Sequence, residues 1–177
     1  MGEAMFGILH LQSAYSMLKN TIHLNQLVER AQQSGYDVIA LSDTNLHGMV
    51  ELYRECQKHQ LKPVLGLYLK VSHDLSDTSF FTYVKNDQGY QNLLKLALIQ
   101  AENNLDDGML INHQEGLIFV TSGLDSIIYQ AIDRHDLDFA KKTALYYQQH
   151  LDDFYLGLSL DTFHEEMKIA PMLFKLS

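Results

Sequence analysis

The sequence predicts an α/β protein with a parallel sheet or barrel. Three observations carry this. Strand-like apolar runs alternate with helical amphipathic segments along the chain. The first three strand–helix units each take about 30 residues, the length of a βαβ crossover unit. Several strand runs are almost continuously apolar, as in strands covered on both faces.

The elements follow in order. Strands are expected at 6–11 (FGILHL), 37–42 (DVIALS), 63–71 (PVLGLYLKV), 79–84 (SFFTYV), 116–121 (GLIFVT) and 154–160 (FYLGLSL). Over 22–34, Leu24, Leu27, Val28 and Ala31 recur at helical spacing, and Gly35 is a natural stop. Over 48–59 the apolar stripe is Met49, Leu52, Tyr53 and Cys56, with Pro63 beyond it. Over 89–103, Tyr90, Leu93, Leu94, Leu96, Ala97 and Ile99 give a wide apolar face. Further helices are expected over 124–133 and 137–151, and a last one over about 162–176 that Pro171 should kink or break. The stretch 101–116 reads as the longest loop. No low-complexity segment divides the chain, so a single domain over 1–177 is expected.

Composition narrows the function classes. The 177 residues suffice for a proper core, and 46% apolar with 20% charged residues is ordinary for a globular protein. No apolar run approaches the length that spans a bilayer, and the start MGEAM has neither the basic nor the apolar region of a signal peptide. The net charge of −9, with no basic run longer than Lys141–Lys142, repels phosphate backbones. Strong nucleic-acid binding by this chain is therefore not expected. The single cysteine, Cys56, excludes an internal disulfide and a cysteine-rich zinc site; core packing or a surface thiol are its ordinary roles. A cytoplasmic location follows as an expectation.

In parallel α/β folds chemistry collects where strands end. Those ends carry His10 with Gln12, Asp43 with Thr44, Tyr68, and Ser122 with Gly123. Each has a plain structural alternative. His10 on an apolar strand is commonly a hydrogen-bonded histidine. Asp43 suits the N-cap of a helix beginning near 46, as does Asn45. Tyr68 can fill a barrel mouth and hydrogen-bond to His10 or Asp43. Ser122-Gly123 reads as a tight turn without a nucleophile-elbow context. His47 reads as a loop residue. His23, His59, His73, His113, His135, His150 and His164 lack ligand spacing and read as surface residues.

Three stretches together resemble a known family. FGILHLQSAYSML, then DVIALSDTNLHGMVELYRECQKHQLKPVLGLYL, then VKNDQGYQNLLKL resemble the N-terminal PHP domain of the bacterial DNA polymerase III alpha subunit, the C-family replicative polymerase, in its low-GC Gram-positive type. GLIFVTSG and FYLGLSL sit where that family has later strands, so the resemblance runs over about 6–166. It implies a PHP-like, distorted, TIM-like β/α barrel, seven-stranded in the family and incomplete here. The family's C-terminal segment has no counterpart after Ser177, so a truncated domain without polymerase domains is expected.

Active PHP domains hold a metal cluster on His, Asp, Glu and Cys ligands, and the resemblance lets each position be checked. The His-x-His motif, with the position two residues before it, falls on Ile8, His10 and Gln12; Asp-His falls on Asp43-Thr44; Gly-x-Glu falls on Gly66-Leu67-Tyr68; Ser-Gly-Cys falls on Ser122-Gly123-Leu124. Five of these seven ligand positions are changed (Ile8, Gln12, Thr44, Tyr68, Leu124), and His10 and Asp43 are kept. Two side chains do not assemble a cluster that lowers a water's pKa. The expectation is a vestigial site at His10 and Asp43, with no catalytic residue and no resident cofactor. At most it holds a weakly bound zinc or manganese ion. The implied role is a non-catalytic structural or interaction domain in DNA replication. Its implied partners are the remainder of a polymerase chain and other replisome proteins. The alternative is a metal-dependent phosphoesterase or proofreading 3′–5′ exonuclease that recruits Gln12, Tyr68 or His47. A stand-alone α/β domain that only happens to resemble the family is a third reading.

Overall fold

The structure, a computed structural model, describes residues 7–16, 21–72 and 77–157, without the side chain of Leu124. The helix expected over 162–176, the end of the last strand at 158–160, and His73 and His164 lie outside the described residues. The chain forms two compact units, Met1–Tyr68 with Thr82–Val84, and Leu69–Phe81 with Lys85–Ser177.

The first unit carries β1 (Gly7–Ile8), α1 (Leu24–Gln33), β2 (Val38–Asp43), α2 (Met49–His59) and most of β3 (Lys62–Val71). Its strands are parallel. Gly7 and Ile8 pair with Val38 and Ile39, and β2 runs alongside β3 from Val38–Lys62 to Asp43–Leu67. One apolar stripe from each element meets in the middle. Leu24, Val28 and Ala31 of α1 pack with Ile39 and Leu41 of β2 and with Leu52 and Cys56 of α2. Cys56 is therefore a core residue, and burial pushes its thiol up to about 11.

Helix α1 stops as expected at Gly35, where φ is +77°. The Gly35 amide donates to the Gln32 carbonyl and the Tyr36 amide to the Ala31 carbonyl, which satisfies two terminal carbonyls in the Schellman pattern. Among the described residues of the expected strand 6–11, Gly7 and Ile8 alone are in the ladder. Three residues further on, contact with β2 continues through the Ser42 amide, which donates to the Leu11 carbonyl at 2.8 Å.

The second unit carries most of β4 (Thr78–Val84), α3 (Asp87–Ala101), α4 (Asp107–Asn112), β5 (Leu117–Thr121), a 3₁₀ turn (Gly123–Asp125), α5 (Ile127–Asp133), α6 (Leu137–His150) and β6 (Phe154–Tyr155). β5 and β6 are parallel, with Phe119 opposite Phe154. An aromatic cluster forms this core: Phe80 meets the rings of Phe119, Tyr147 and Phe154 edge-on, at centroid distances of 5.0–6.4 Å.

Two expectations need correction here. The loop over 101–116 contains α4, capped by Asp106, whose Oδ1 accepts from the Met109 amide, and anchored by the buried Leu110. A helix of six residues with one buried position leaves no periodic trace in the sequence. The helix expected from 124 begins instead at Ile127, because Ser126 accepts from the Ile128 amide as its N-cap and the preceding residues tighten into the 3₁₀ turn.

The segment Asn86-x-x-Gly89-Tyr90-x-Asn92-Leu93 shows why its residues are what they are. Asn86 caps α3 by accepting from the Gly89 amide at 2.9 Å, and Asn92 donates to the Glu115 carbonyl at 2.9 Å. A Cβ on Gly89 would sit 1.8 Å from the Gly116 carbonyl oxygen, so only glycine lets these two backbones meet.

Candidate functional site

The first unit holds six of the seven positions. Neighbours along a strand point to opposite faces, and this divides them. Ile39 and Leu41 face α1 and α2 in the core, so Asp43 belongs to that helix face. Spacing agrees: a Cβ on Gly48, next to α2, would lie 3.1 Å from Asp43 Oδ2 and 3.1 Å from Leu41 Cδ2. Ser42 belongs to the other face. Leu65 of β3 packs on the same helix-side core, which places Gly66 and Tyr68 on the other face too.

On the helix face Asp43 is fully buried and held by three donors. Its Oδ1 accepts from the Ser13 amide at 2.6 Å and from Ser16 Oγ at 2.7 Å, and its Oδ2 accepts from Ser13 Oγ at 2.6 Å. A buried carboxylate is tolerable only when so bonded. The serines pass the connection on. Ser16 Oγ accepts from the Thr44 amide at 3.1 Å, and Ser13 Oγ from the Tyr15 amide at 3.2 Å. Asn45 then donates to the Tyr15 carbonyl at 2.7 Å, and the Tyr15 hydroxyl donates to Glu51 at 2.7 Å.

Neither Asp43 nor Asn45 is a helix N-cap. α2 starts at Met49 behind Gly48, with no side-chain cap, because Asp43 is still in strand geometry six residues earlier. Asn45 makes a local turn instead, accepting from the His47 amide at 3.0 Å.

On the other face His10, exposed at the end of β1, places Nδ1 3.2 Å from Ser42 Oγ. That hydroxyl also reaches the Leu11 carbonyl at 3.2 Å. The Tyr83 hydroxyl donates to the Leu9 carbonyl. Burial pushes this phenol up to about 12, while a hydrogen bond with Ser42 pulls the other way. Gly66 makes room for it: a Cβ there would lie 2.6 Å from Tyr83 Cδ1. Gln12 reaches the Ser42 carbonyl only at a long 3.5 Å. Tyr68 is buried. Ile8 is half-buried in β1, Thr44 half-buried after β2, and His47 exposed.

The structure thus gathers His10, Gln12, Ser42 and Tyr83 on one face and sets Asp43 on the other. The second unit contains the Ser122-Gly123-Leu124 position. There Ser122 Oγ hydrogen-bonds Ser79 Oγ, Ser79 Oγ reaches the Asp125 carbonyl at 3.0 Å, and Gly123 has φ +68° in the expected turn. Among the described residues no three His, Cys, Asp or Glu side chains are grouped to hold a metal ion. That donor set does not fit the family's cluster.

Ser13, Ser16, Ser42 and Tyr83 were not legible as site residues. The serines of QSAYS gave a faint signal as turn formers, but Tyr83 gave none, since its partner is a main-chain carbonyl 74 residues away.

Comparison with known proteins gives the context. The family model of the PHP domain matches residues 9–160. The chain is 34% identical over 117 residues to the DNA polymerase III subunit alpha of Streptococcus pyogenes serotype M3, covering 66% of this chain and 11% of that one. It is 28% identical over 178 residues to the subunit alpha of Bacillus subtilis, covering 96% of this chain and 16% of that one. The chain therefore spans 11–16% of the length of these curated relatives.

Two solved structures share the fold. One is a presumed metal-dependent phosphoesterase from Bifidobacterium adolescentis, with TM-score 0.57, 11% identity, and coverage of 98% of this chain and 85% of that one. The other is an amidohydrolase from Chromobacterium violaceum solved with sulfate and no metal, with TM-score 0.52, 13% identity, and coverage of 96% and 83%. The α/β, PHP-like fold expected from the sequence is the fold found, and the resemblance to the polymerase alpha subunit holds. With residues 9–160, most of the chain, matched by the family model, the chain belongs to the PHP domain family.

Proposed function

We propose that this chain serves as the N-terminal PHP domain of a DNA polymerase III alpha subunit, in a structural and non-catalytic capacity. It would act in the cytoplasm, within the remainder of a polymerase chain and beside other replisome proteins. The supporting observation is the chemistry of the β1–β3 ends. A hydrolytic cluster needs several anionic or imidazole donors converging on two or three cations. Here the face that carries His10 offers a glutamine, a serine and two buried tyrosines instead, and one of those phenols stays protonated up to about 12. The net charge of −9 supports a protein-contacting rather than a DNA-contacting role. No described helix is long and apolar enough to cross a membrane.

The test is hydrolysis of a phosphodiester ester and of a single-stranded DNA 3′ end by the purified chain, with zinc or manganese added. The expected rate equals that of His10→Ala and of a metal-free control. Metal-dependent hydrolysis abolished by His10→Ala overturns the proposal and revives the phosphoesterase or exonuclease reading.

A further inference from the structure

Asp43 raises a separate question, because it is fully buried and its face is wrong for a ligand shared with His10. We propose that Asp43 is a latch: its carboxylate fastens residues 13–16, after β1, to the end of β2 and the residues that follow it, and it does so without metal. This holds whether or not the opposite face binds an ion, so it stands independently of the function proposed above.

Three observations carry the inference. First, Asp43 shares the helix face with Ile39 and Leu41, whereas its neighbour Ser42 meets His10 on the other. Second, both carboxylate oxygens are already bonded, to one amide and two hydroxyls at 2.6–2.7 Å, the short range of charge-assisted bonds. Third, Ser16, fully buried, works in both directions. It donates to Asp43 Oδ1 and accepts the Thr44 amide, so one hydroxyl ties the two loops together. Three of the carboxylate's about four lone-pair sites are taken by protein donors, and Oδ2 lies on the α2 side, 3.1 Å from where a Cβ on Gly48 would sit.

The consequence reaches the other face. Residues 10–12 run directly into the latched turn, and the backbone of Leu11 receives both the Ser42 amide and the Ser42 hydroxyl. Fixing Ser13 therefore fixes where His10 and Gln12 emerge.

Amide hydrogen exchange on the 177-residue chain tests this, with Asp43→Asn and the milder Ser16→Ala as variants, each with zinc, with manganese and with chelator. Asn keeps one acceptor and loses the charge and the second acceptor. Exchange at the Ser13 amide is expected to rise at least tenfold in Asp43→Asn, and at the Thr44 amide roughly tenfold in Ser16→Ala. Amides of the α1 and α2 cores should change only in step with global stability, and added metal should alter none of these values. Should Asp43→Asn fail to fold, Ser16→Ala alone decides. Unchanged protection at Ser13 and Thr44 overturns the latch. So does protection that depends on metal in the parent chain and is lost in Asp43→Asn, since that is the behaviour of a ligand.

Discussion

Replacing Gly66 by alanine adds one methyl group at the most crowded point of β3. Its Cβ would lie 2.6 Å from Tyr83 Cδ1, 2.7 Å from the Thr82 carbonyl oxygen and 2.8 Å from the Leu41 carbonyl oxygen. A relaxed carbon-to-oxygen contact is about 3.3 Å or longer, so both oxygens must retreat by about half an ångström. The two belong to the backbones of β4 and β2, which flank the new methyl. Neither can rotate away as a side chain could, and moving one strand outward strains its own ladder. Overpacking of a well-filled site costs about 1–3 kcal/mol and sometimes more. With two backbone clashes the upper figure applies, about 3 kcal/mol. For a chain of this size that lowers the thermal midpoint by about 6–12 °C. Thermal unfolding followed by circular dichroism measures it. A second variant, Gly66→Ala with Tyr83→Leu, separates the causes. Removing the ring relieves only one of three contacts, so the double variant should not regain the parent midpoint. A Gly66→Ala chain that melts within about 2 °C of the parent refutes the reasoning, because the backbone would then have absorbed the methyl freely.

Other outcomes follow from the same geometry. Gly89→Ala should be worse than Gly66→Ala, about 4 kcal/mol or beyond, because its Cβ would overlap the Gly116 carbonyl at 1.8 Å; urea unfolding or loss of soluble protein reports it. Cys56, fully buried with its thiol pushed up to about 11, should react with iodoacetamide at pH 8 far more slowly in the native chain than in urea. The thiolate fraction alone is lower by roughly a hundredfold than at the ordinary value of 9.0. The same shift sets a pH trend. The folded state favours the neutral thiol, so its contribution to stability is whole below the unfolded value and is lost as the pH rises from about 9 toward 11; urea midpoints across that window should fall more for the parent than for Cys56→Ala.

The parallel pairing of β1, β2 and β3, and of β5 with β6, was legible because it rests on burial. Runs such as Val38–Asp43 and Lys62–Val71 must be apolar to sit under helices, and the stripes of α1 and α2 must match them. Helix α4 was not legible, since one buried leucine and a capping aspartate do not make a period. The residue types at Ile8, Gln12, Thr44 and Tyr68 could be read by position alone. What Asp43 does instead could not. Its face depends on strand register, and its partners Ser13 and Ser16 are ordinary turn residues until the fold places them 2.6–2.7 Å away. Tyr83 hides for a related reason: its partner is a backbone carbonyl, which every residue has.

The measurement that bears most directly on the central claim is metal content. The purified chain is incubated with excess zinc and with excess manganese, dialysed against metal-free buffer, and its ions are counted by mass spectrometry. With His10 engaged by Ser42 and Asp43 facing the helices, fewer than about half an ion per chain should remain. Two or more tightly held ions per chain would contradict the structural reading, and would make His10, Gln12 and Tyr68 the first residues to test as ligands.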